Sequence, residues 1–398
     1  MIELLGFILF GCFAGAFTGL VPGIHTNTIA LIAVSFAASA GFGIPLVMMI
    51  VSMSVVHSFV SFVPSIALGA PDEDSFISVL PGHRFLLKGL GLHAIKLTAI
   101  GGLFACIISV AMLPLFAMFV LKTVHLIYPA MPAIITVVFA LMLHDEKGTT
   151  QRKWALYVIL LSGSLGLAGL RAGIFGNAIF PLVTGFFGAS ALIYSMNKNT
   201  GMPAQEFGAK KYRRRTVFTG SALGVIAGAL VSLLPSLGPN QAAFILRKII
   251  GKMGTSQYLI VIGGISTVNA IFAFFVLYLA GKARTGTAAA VAELVELSAG
   301  DLMLIVAVVL LSAGFGVVAT EVLGKFTLTH ISKLPYKIIN ILVLGMLALL
   351  VAALSGAMGF LLFLTSTGIG LIALTSGVKR TNCMAFLMVP TLLFYLGV

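Results

Sequence analysis

Four short stretches of this chain set hydrogen-bonding or charged side chains beside proline or glycine in the midst of apolar sequence. The first is Pro22-Gly23-Ile24-His25-Thr26-Asn27. The second runs from Gly69-Ala70-Pro71 into Asp72-Glu73-Asp74-Ser75, so three of the chain's 11 acids are consecutive. The third is Gly238-Pro239-Asn240-Gln241, shortly after Pro235. The fourth is Gly281-Lys282-Ala283-Arg284-Thr285-Gly286-Thr287, ahead of an Ala-rich helix expected over Ala288–Leu297. Lys282, Arg284, the hydroxyls of Thr285 and Thr287 and a helix N-terminus suit an anion, and Arg grips a carboxylate or phosphate with two parallel bonds. The competing reading of that stretch is an ordinary cytoplasmic loop. His25, Thr26, Asn27, Asn240 and Gln241, with the backbone at Pro22, Gly23 and Gly238, suit substrate oxygens or a sodium ion. For His25 the competing reading is a ring satisfied locally. Asp72, Glu73 and Asp74 suit a coupling cation or proton, with Ser75 orienting substrate. Their competing reading is a solvated loop in which Asp72 caps the following helix.

The elements that hold these stretches are read from hydropathy. The chain is 60% hydrophobic and 9% charged, with a mean hydropathy of +1.14. A soluble chain carries about a quarter charged residues. Runs such as Leu97–Leu121, Trp154–Leu170, Leu302–Val318 and Ile338–Leu354 are almost free of ionisable groups. They are apolar all round and of the roughly 20-residue length a helix needs to cross a bilayer, without the alternation of a β-barrel. The expected fold is an all-α polytopic membrane protein: about ten transmembrane helices plus re-entrant or broken helical hairpins. Each half opens with a G-x-x-x-G helix, Gly15 to Gly19 and Gly224 to Gly228, that runs into a Pro/Gly break, with a second break farther on. This recurrence predicts two structural repeats, residues 1–197 and 216–398, around a basic loop over 198–215. The orientation of the repeats stays open at this level: odd span counts make them inverted, even counts parallel. Broken helix is tolerated in hydrocarbon only inside protein or along a water-filled cavity, and paired breaks in two halves mark a transporter's midplane site.

The net charge of +13 is concentrated in part at Lys198, Lys210, Lys211, Arg213, Arg214 and Arg215. That pattern places the 198–215 loop in the cytoplasm by the positive-inside rule, with anionic lipid within reach of its basic tail. No basic groove with interleaved aromatics points to nucleic acid. The N-terminus lacks a basic n-region and a cleavage signal, so it reads as a retained first span. Cys12, Cys106 and Cys383 are scattered and read as small packing residues. No hydrolase, nucleotide-binding or metal-site signature occurs, so neither an enzyme, a metal nor a cofactor is expected beyond a coupling ion, sodium or proton. His144-Asp145-Glu146-Lys147 reads as a solvated loop, and Arg171 as marking a turn. The cluster around Ser266, Thr267 and Asn269 faces the pathway or bonds a neighbouring helix.

Gly15-x-x-x-Gly19-x-x-Pro22-Gly23 resembles the opening of the large membrane subunit of tripartite tricarboxylate transporters, the TctA family. Ile66-Ala67-Leu68-Gly69-Ala70-Pro71 with Pro81-Gly82-His83, the stretch Phe180 to Gly188, and the Pro235 to Gly238 turn are similar to that family too. The chain departs from it where Gly-Gly-Ser is replaced around Ser61-Phe62-Val63-Pro64-Ser65, and where Gly-Ile-Pro-Gly is replaced by Ala280-Gly281-Lys282-Ala283-Arg284. The resemblance implies a multi-pass permease of the cell's inner or plasma membrane, taking up a carboxylate anion by ion-coupled secondary transport. It also implies a small membrane subunit and an extracytoplasmic binding protein as partners, and a homo-oligomer is compatible with it. Folds of this general kind have also been proposed to move polyprenyl-phosphate lipids, for which Lys282 and Arg284 suit the headgroup. A translocase is therefore the alternative reading. An intramembrane lipid-processing enzyme, with His25 or the 72–74 acids as acid and base, is the third.

Overall fold

The computed structural model describes every residue except 1, 22–25, 38–42, 69–78, 172–177, 197–202, 209–211, 235–237, 252, 332–335 and 398. The described residues form helices and no strands. In chain order they are α1 (Ile2–Leu20), α2 (Thr26–Ala37), α3 (Gly43–Val60), α4 (Phe62–Ala67), α5 (Val79–Leu86), α6 (Gly91–Ala111), α7 (Leu113–His144), α8 (Thr149–Arg171) and α9 (Ile179–Val183). There follow α10 (Ser190–Met196), α11 (Arg214–Val231), α12 (Pro239–Ile250), α13 (Thr255–Ala280), α14 (Gly286–Leu294), α15 (Ala299–Ile331), α16 (Tyr336–Thr375) and α17 (Ala385–Leu396). Seven of the described helical segments are long and apolar enough to cross a membrane. The chain is an all-α polytopic membrane protein.

The helices sort into two compact units. One is built from Met1–Ala67, Asp74–Val124 and Met202–Lys333, the other chiefly from His125–Gly201 and Leu334–Val398. The expected repeats of residues 1–197 and 216–398 are a different division of the chain, since each half contributes to both units.

Within the first unit the helices recur in order. A long helix (α1, α11) is followed by a twelve-residue one (α2, α12). Next come a span (Gly43–Ala67, α13), a short helix (α5, α14) and another span (α6, α15). The contacts recur with them, because small residues let backbones approach closely. In the first half, a β-carbon on Gly15 would lie 2.5 Å from the Met53 carbonyl oxygen and 2.9 Å from Val56 Cβ, and one on Gly19 would lie 2.8 Å from Val60 Cβ. In the second, one on Gly224 would lie 3.1 Å from the Val261 carbonyl and 3.0 Å from Gly264, and one on Gly228 would lie 2.7 Å from Val268 Cβ. Gly11 and Gly220 meet the preceding turns, at Met49 with Ser52 and at Gln257 with Ile260. Three glycines four apart thus sit on the same register of the partner helix in both halves.

These contacts also give directions. α1 and α3 run parallel, so after α1 ends beside His57 and Val60 the chain must return about 20 Å to begin α3. α2 covers that return, yet twelve residues span only about 18 Å, short of the roughly 30 Å hydrocarbon layer. α12 does the same between α11 and α13. Within this unit the last span of each set crosses over, α6 packing on α13 and α15 on α3. α6 and α15 also pack on each other and run antiparallel. Gly91 meets Leu328, Gly324 meets Ile95 and Leu92, and Lys96 Nζ donates to Glu321 Oε1 at 2.6 Å. Equivalent helices in opposite directions are the arrangement of inverted repeats, the orientation that span counting left open.

The expected run Leu97–Leu121 is two helices. α6 stops at Met112 (φ −89°, ψ 0°), and α7 restarts with Pro114 in its first turn, where the missing N–H costs nothing.

In the second unit, α16 is a hairpin. Gly356 (φ 63°, ψ −168°) has a conformation that side chains disfavour. Leu347 and Gly370 both adjoin the stretch Phe186–Ser190, although a straight helix would hold them about 35 Å apart. The arm after Gly356 packs along α9, with Gly359 near Pro181 and Gly185 near Phe363 and Thr367. The π-helical turn Thr184–Ala189 lies in this contact, and the Phe187 carbonyl accepts from Arg380 Nη1 at 3.0 Å.

Candidate functional site

The first and fourth stretches meet at the N-terminus of α14. α13 ends at Gly281, whose left-handed conformation (φ 62°) stops the helix. The chain then passes Lys282, which is exposed, and Arg284, which is half-buried, into an extended Thr285 (φ −126°, ψ 159°). Thr285 caps the new helix, accepting from Ala288 N–H at 3.1 Å, and its hydroxyl lies 3.0 Å from that of Thr287. Thr287 is buried, and its N–H donates to Asn27 Oδ1 at 3.0 Å. The backbones are so close that a β-carbon on Gly286 would lie 2.6 Å from Asn27 Cβ. Residues 260 apart in sequence, from opposite halves, therefore share one hydrogen bond.

α14 begins at Gly286 and ends at Leu294, not over the expected Ala288–Leu297, because Thr285 supplies the cap and Val295 turns extended. Two of the N–H groups that sequence reasoning offers to an anion are met from within the protein, by Thr285 and Asn27. Thr26 is buried at the start of α2. Gly238 accepts from Ala242 N–H at 3.2 Å as α12 begins. Asn240 stands second in α12 as Asn27 stands second in α2. The side chains of Asn240 and Gln241 lie outside the described residues, as do Pro22, Gly23, His25, Asp72, Glu73, Asp74 and Ser75.

A polar seam elsewhere in the same unit includes two residues, Thr18 and His57, that were not singled out from sequence. His57 and Thr18 are both buried, with Nδ1 and Oγ1 3.0 Å apart. Ser58 Oγ donates to Thr267 Oγ1 at 3.3 Å, linking α3 to α13. The expectation that the Ser266–Asn269 cluster bonds a neighbouring helix is met at Thr267. The available signal was that His57 is the one ionisable side chain in the 25-residue span Gly43–Ala67.

Two polar loops are tied down. Gln205 Oε1 accepts from Gly91 N–H at 3.0 Å while its Nε2 donates to the Leu86 carbonyl at 3.1 Å. Glu206 N–H donates to the Gly89 carbonyl at 2.7 Å, and Tyr212 stacks on His93 with centroids 5.3 Å apart. Burial, and secondarily Glu321, pushes the Tyr212 phenol up from its ordinary value. The reading of His144–Lys147 as a solvated loop is corrected: Glu146 is 5% exposed. Its Oε1 accepts from Lys379 N–H at 2.9 Å and Asn382 Nδ2 at 2.8 Å, while Asp145 pairs with Lys379. Burial holds the Glu146 carboxyl above the usual carboxylate range, with the Asn382 amide pulling the other way. Among the described residues no group of three or more His, Cys, Asp or Glu is placed to hold a metal ion. Cys12, Cys106 and Cys383 are buried and free.

The chain is 27% identical over 409 residues to an uncharacterized protein of Methanocaldococcus jannaschii, and the match covers 100% of both. No solved structure matches the chain. Residues 5–385 match the family described as Tripartite tricarboxylate transporter TctA family. Broken helices, recurring halves and a nearly full-length family match agree: the chain belongs to the TctA family of tripartite tricarboxylate transporters, as a membrane-embedded component of that transport class.

Proposed function

We propose that this chain is the permease of a secondary-active carrier for an organic anion, a di- or tricarboxylate, driven by a coupling cation or proton. The observation that carries this reading is the Asn27–Thr287 bond, in which one half presents an amide oxygen to the helix N-terminus of the other. A helix N-terminus favours negative charge and oxygen acceptors. An arriving carboxylate takes the place of the Asn27 oxygen on the Thr287 N–H, with Arg284 and Lys282 within the same short segment. Asp72, Glu73 and Asp74 are assigned from sequence to the coupling cation. Two inverted repeats, residues 1–197 and 216–398, support alternating access in which one bundle rocks against the other around a fixed site. We further assign the 198–215 loop to the cytoplasm. A small membrane subunit and an extracytoplasmic binding protein are assigned as partners, in keeping with the tripartite family.

The test is reconstitution in liposomes with labelled citrate, succinate and a polyprenyl phosphate. Uptake of a carboxylate that depends on an ion gradient, and is lost in Arg284→Ala, is the expected result. Trans-bilayer movement of the lipid without carboxylate uptake overturns the proposal in favour of a translocase.

A further inference from the structure

The second unit carries a cation that its own carboxylates do not balance. Within His125–Gly201 and Leu334–Val398 the only acids are Asp145 and Glu146, and Lys and Arg outnumber them. Both are engaged. Asp145 pairs with Lys379, and the buried Glu146 accepts from the Lys379 N–H and from Asn382 Nδ2. Arg380 lies between Lys379 and Asn382 in sequence and is half-buried, and among the described residues it has no carboxylate partner. Taking a charge partly out of water without an opposite charge beside it costs free energy, and packing alone does not offset that.

The segment that carries Arg380 is fixed on both sides. Glu146 ties down Lys379 and Asn382, and Ser162 Oγ of α8 donates to the Asn382 carbonyl at 3.4 Å. At its far end the guanidinium meets the π-helical turn Thr184–Ala189, where Nη1 donates to the Phe187 carbonyl at 3.0 Å. The preceding carbonyl, of Phe186, accepts from Ser190 Oγ at 2.6 Å, and a β-carbon on Gly370 would lie 2.6 Å from it. Helix α16 thus presses on the turn and leaves it little room to shift. Short π-helical turns gather at functional sites. With Nη1 on the Phe187 carbonyl, Nε and Nη2 make no hydrogen bond among the described residues and are not sealed from solvent. Those two nitrogens form the edge of the guanidinium that grips a carboxylate or phosphate through two parallel bonds. Lys147, Arg152 and Lys153 are exposed at the same end of the unit and draw anions toward it.

We propose that Arg380 anchors a second anion site, built from other residues than Lys282 and Arg284, whose ligand is a carboxylate or phosphate group. A soluble anion and a lipid headgroup both supply that chemistry. The Nε–Nη2 edge takes two oxygens of the ligand while Nη1 stays on the Phe187 carbonyl. The site does not depend on the transport function above.

The test uses the full chain purified in a neutral detergent. Labelled inorganic phosphate is the soluble probe, followed by equilibrium dialysis. Phosphatidylglycerol against phosphatidylcholine is the lipid probe, with retention read by native mass spectrometry. Three variants are compared with the natural protein: Arg284→Ala, Arg380→Gln and Arg380→Lys. Gln keeps an N–H for the Phe187 carbonyl, and Lys keeps the charge without the paired edge. The natural protein and Arg284→Ala bind phosphate alike, or retain phosphatidylglycerol over phosphatidylcholine alike. Arg380→Gln binds at least about tenfold more weakly, and Arg380→Lys falls between. Phosphate binding assigns the site to a soluble anion, and phosphatidylglycerol retention alone assigns it to a headgroup; either supports the proposal. Absence of both in the natural protein overturns it. So does undiminished binding in Arg380→Gln, and so does loss confined to Arg284→Ala, which returns the anion to the other site. If Arg380→Gln does not fold, Arg380→Lys decides, and an affinity equal to that of the natural protein overturns the paired grip.

Discussion

Asn27 gives the sharpest handle on the site, because two substitutions there move stability and transport differently. Asn27→Ala removes the acceptor of the buried Thr287 N–H. An unpaired buried donor costs about 1–3 kcal/mol. For a body of this size each kcal/mol lowers the melting temperature by about 2–4 °C. Asn27→Asp keeps an oxygen at the same place and adds negative charge at the start of α14, a helix-dipole contribution of about 0.3–1 kcal/mol in its favour. The Asp variant therefore melts at or above the natural protein, and about 1–4 kcal/mol above the Ala variant. Transport answers differently. A fixed carboxylate on the α14 N-terminus occupies the place of the anionic substrate and repels it, so Asn27→Asp cuts labelled citrate uptake by at least about tenfold despite its stability. Thermal unfolding of the purified variants, followed by uptake in liposomes at matched protein, reads both effects. Equal melting of the Ala and Asp variants would refute the role of the Asn27–Thr287 bond. Natural uptake rates in Asn27→Asp would refute the place of the anion.

Four more outcomes follow from the same geometry. Gly19→Val and Gly228→Val each drive a side chain into a partner helix already 2.7–2.8 Å from the β-carbon position. They cost about 1–3 kcal/mol each by overpacking, and a loss in thermal stability for one without the other speaks against equivalent contacts. Asn240→Ala, at the place in α12 that Asn27 holds in α2, lowers citrate uptake; uptake unaffected by the change breaks the proposed correspondence. Gly89 has φ +76° and would place a β-carbon 2.7 Å from the Ala204 carbonyl, so Gly89→Val releases the 203–206 segment, read as faster limited proteolysis there. Glu146 has a native pKa raised above its unfolded value, so its folded form holds the proton more tightly. Stability on this account is fullest below the unfolded carboxylate range and declines as pH rises through the native value. Glu146→Gln keeps an acceptor for Lys379 N–H and Asn382 without the charge and flattens that decline; unfolding midpoints between about pH 4 and 8 with the same slope in both proteins count against it.

Much of the architecture was legible because it depends on local properties. Hydropathy sets the solvent, and a span apolar all round can only be a helix in lipid. Pro22-Gly23 and Gly238-Pro239 disfavour continued helix by residue type alone, and the Gly15/Gly19 and Gly224/Gly228 spacings mark a face that backbones can approach. The family, too, is carried by short motifs. What the sequence left open depends on which distant faces fit together. The antiparallel course of α6 and α15, which makes the repeats inverted, rests on contacts such as Gly91 with Leu328. Leu347 and Gly370 share a neighbour only because Gly356 folds α16 back on itself, just past the expected run Ile338–Leu354. Glu146 sits in a polar tetrapeptide that looks solvated, and only the approach of Lys379 and Asn382 buries it. His57 stands out in sequence only as the one ionisable side chain of its span, and its contact with Thr18, 3.0 Å away, belongs to the fold. Residue types and spacing determined that the chain spans a membrane and where its helices break. Tertiary packing decided which broken end meets which, because a hydrogen bond between residues 260 apart is a property of two surfaces and of neither segment alone.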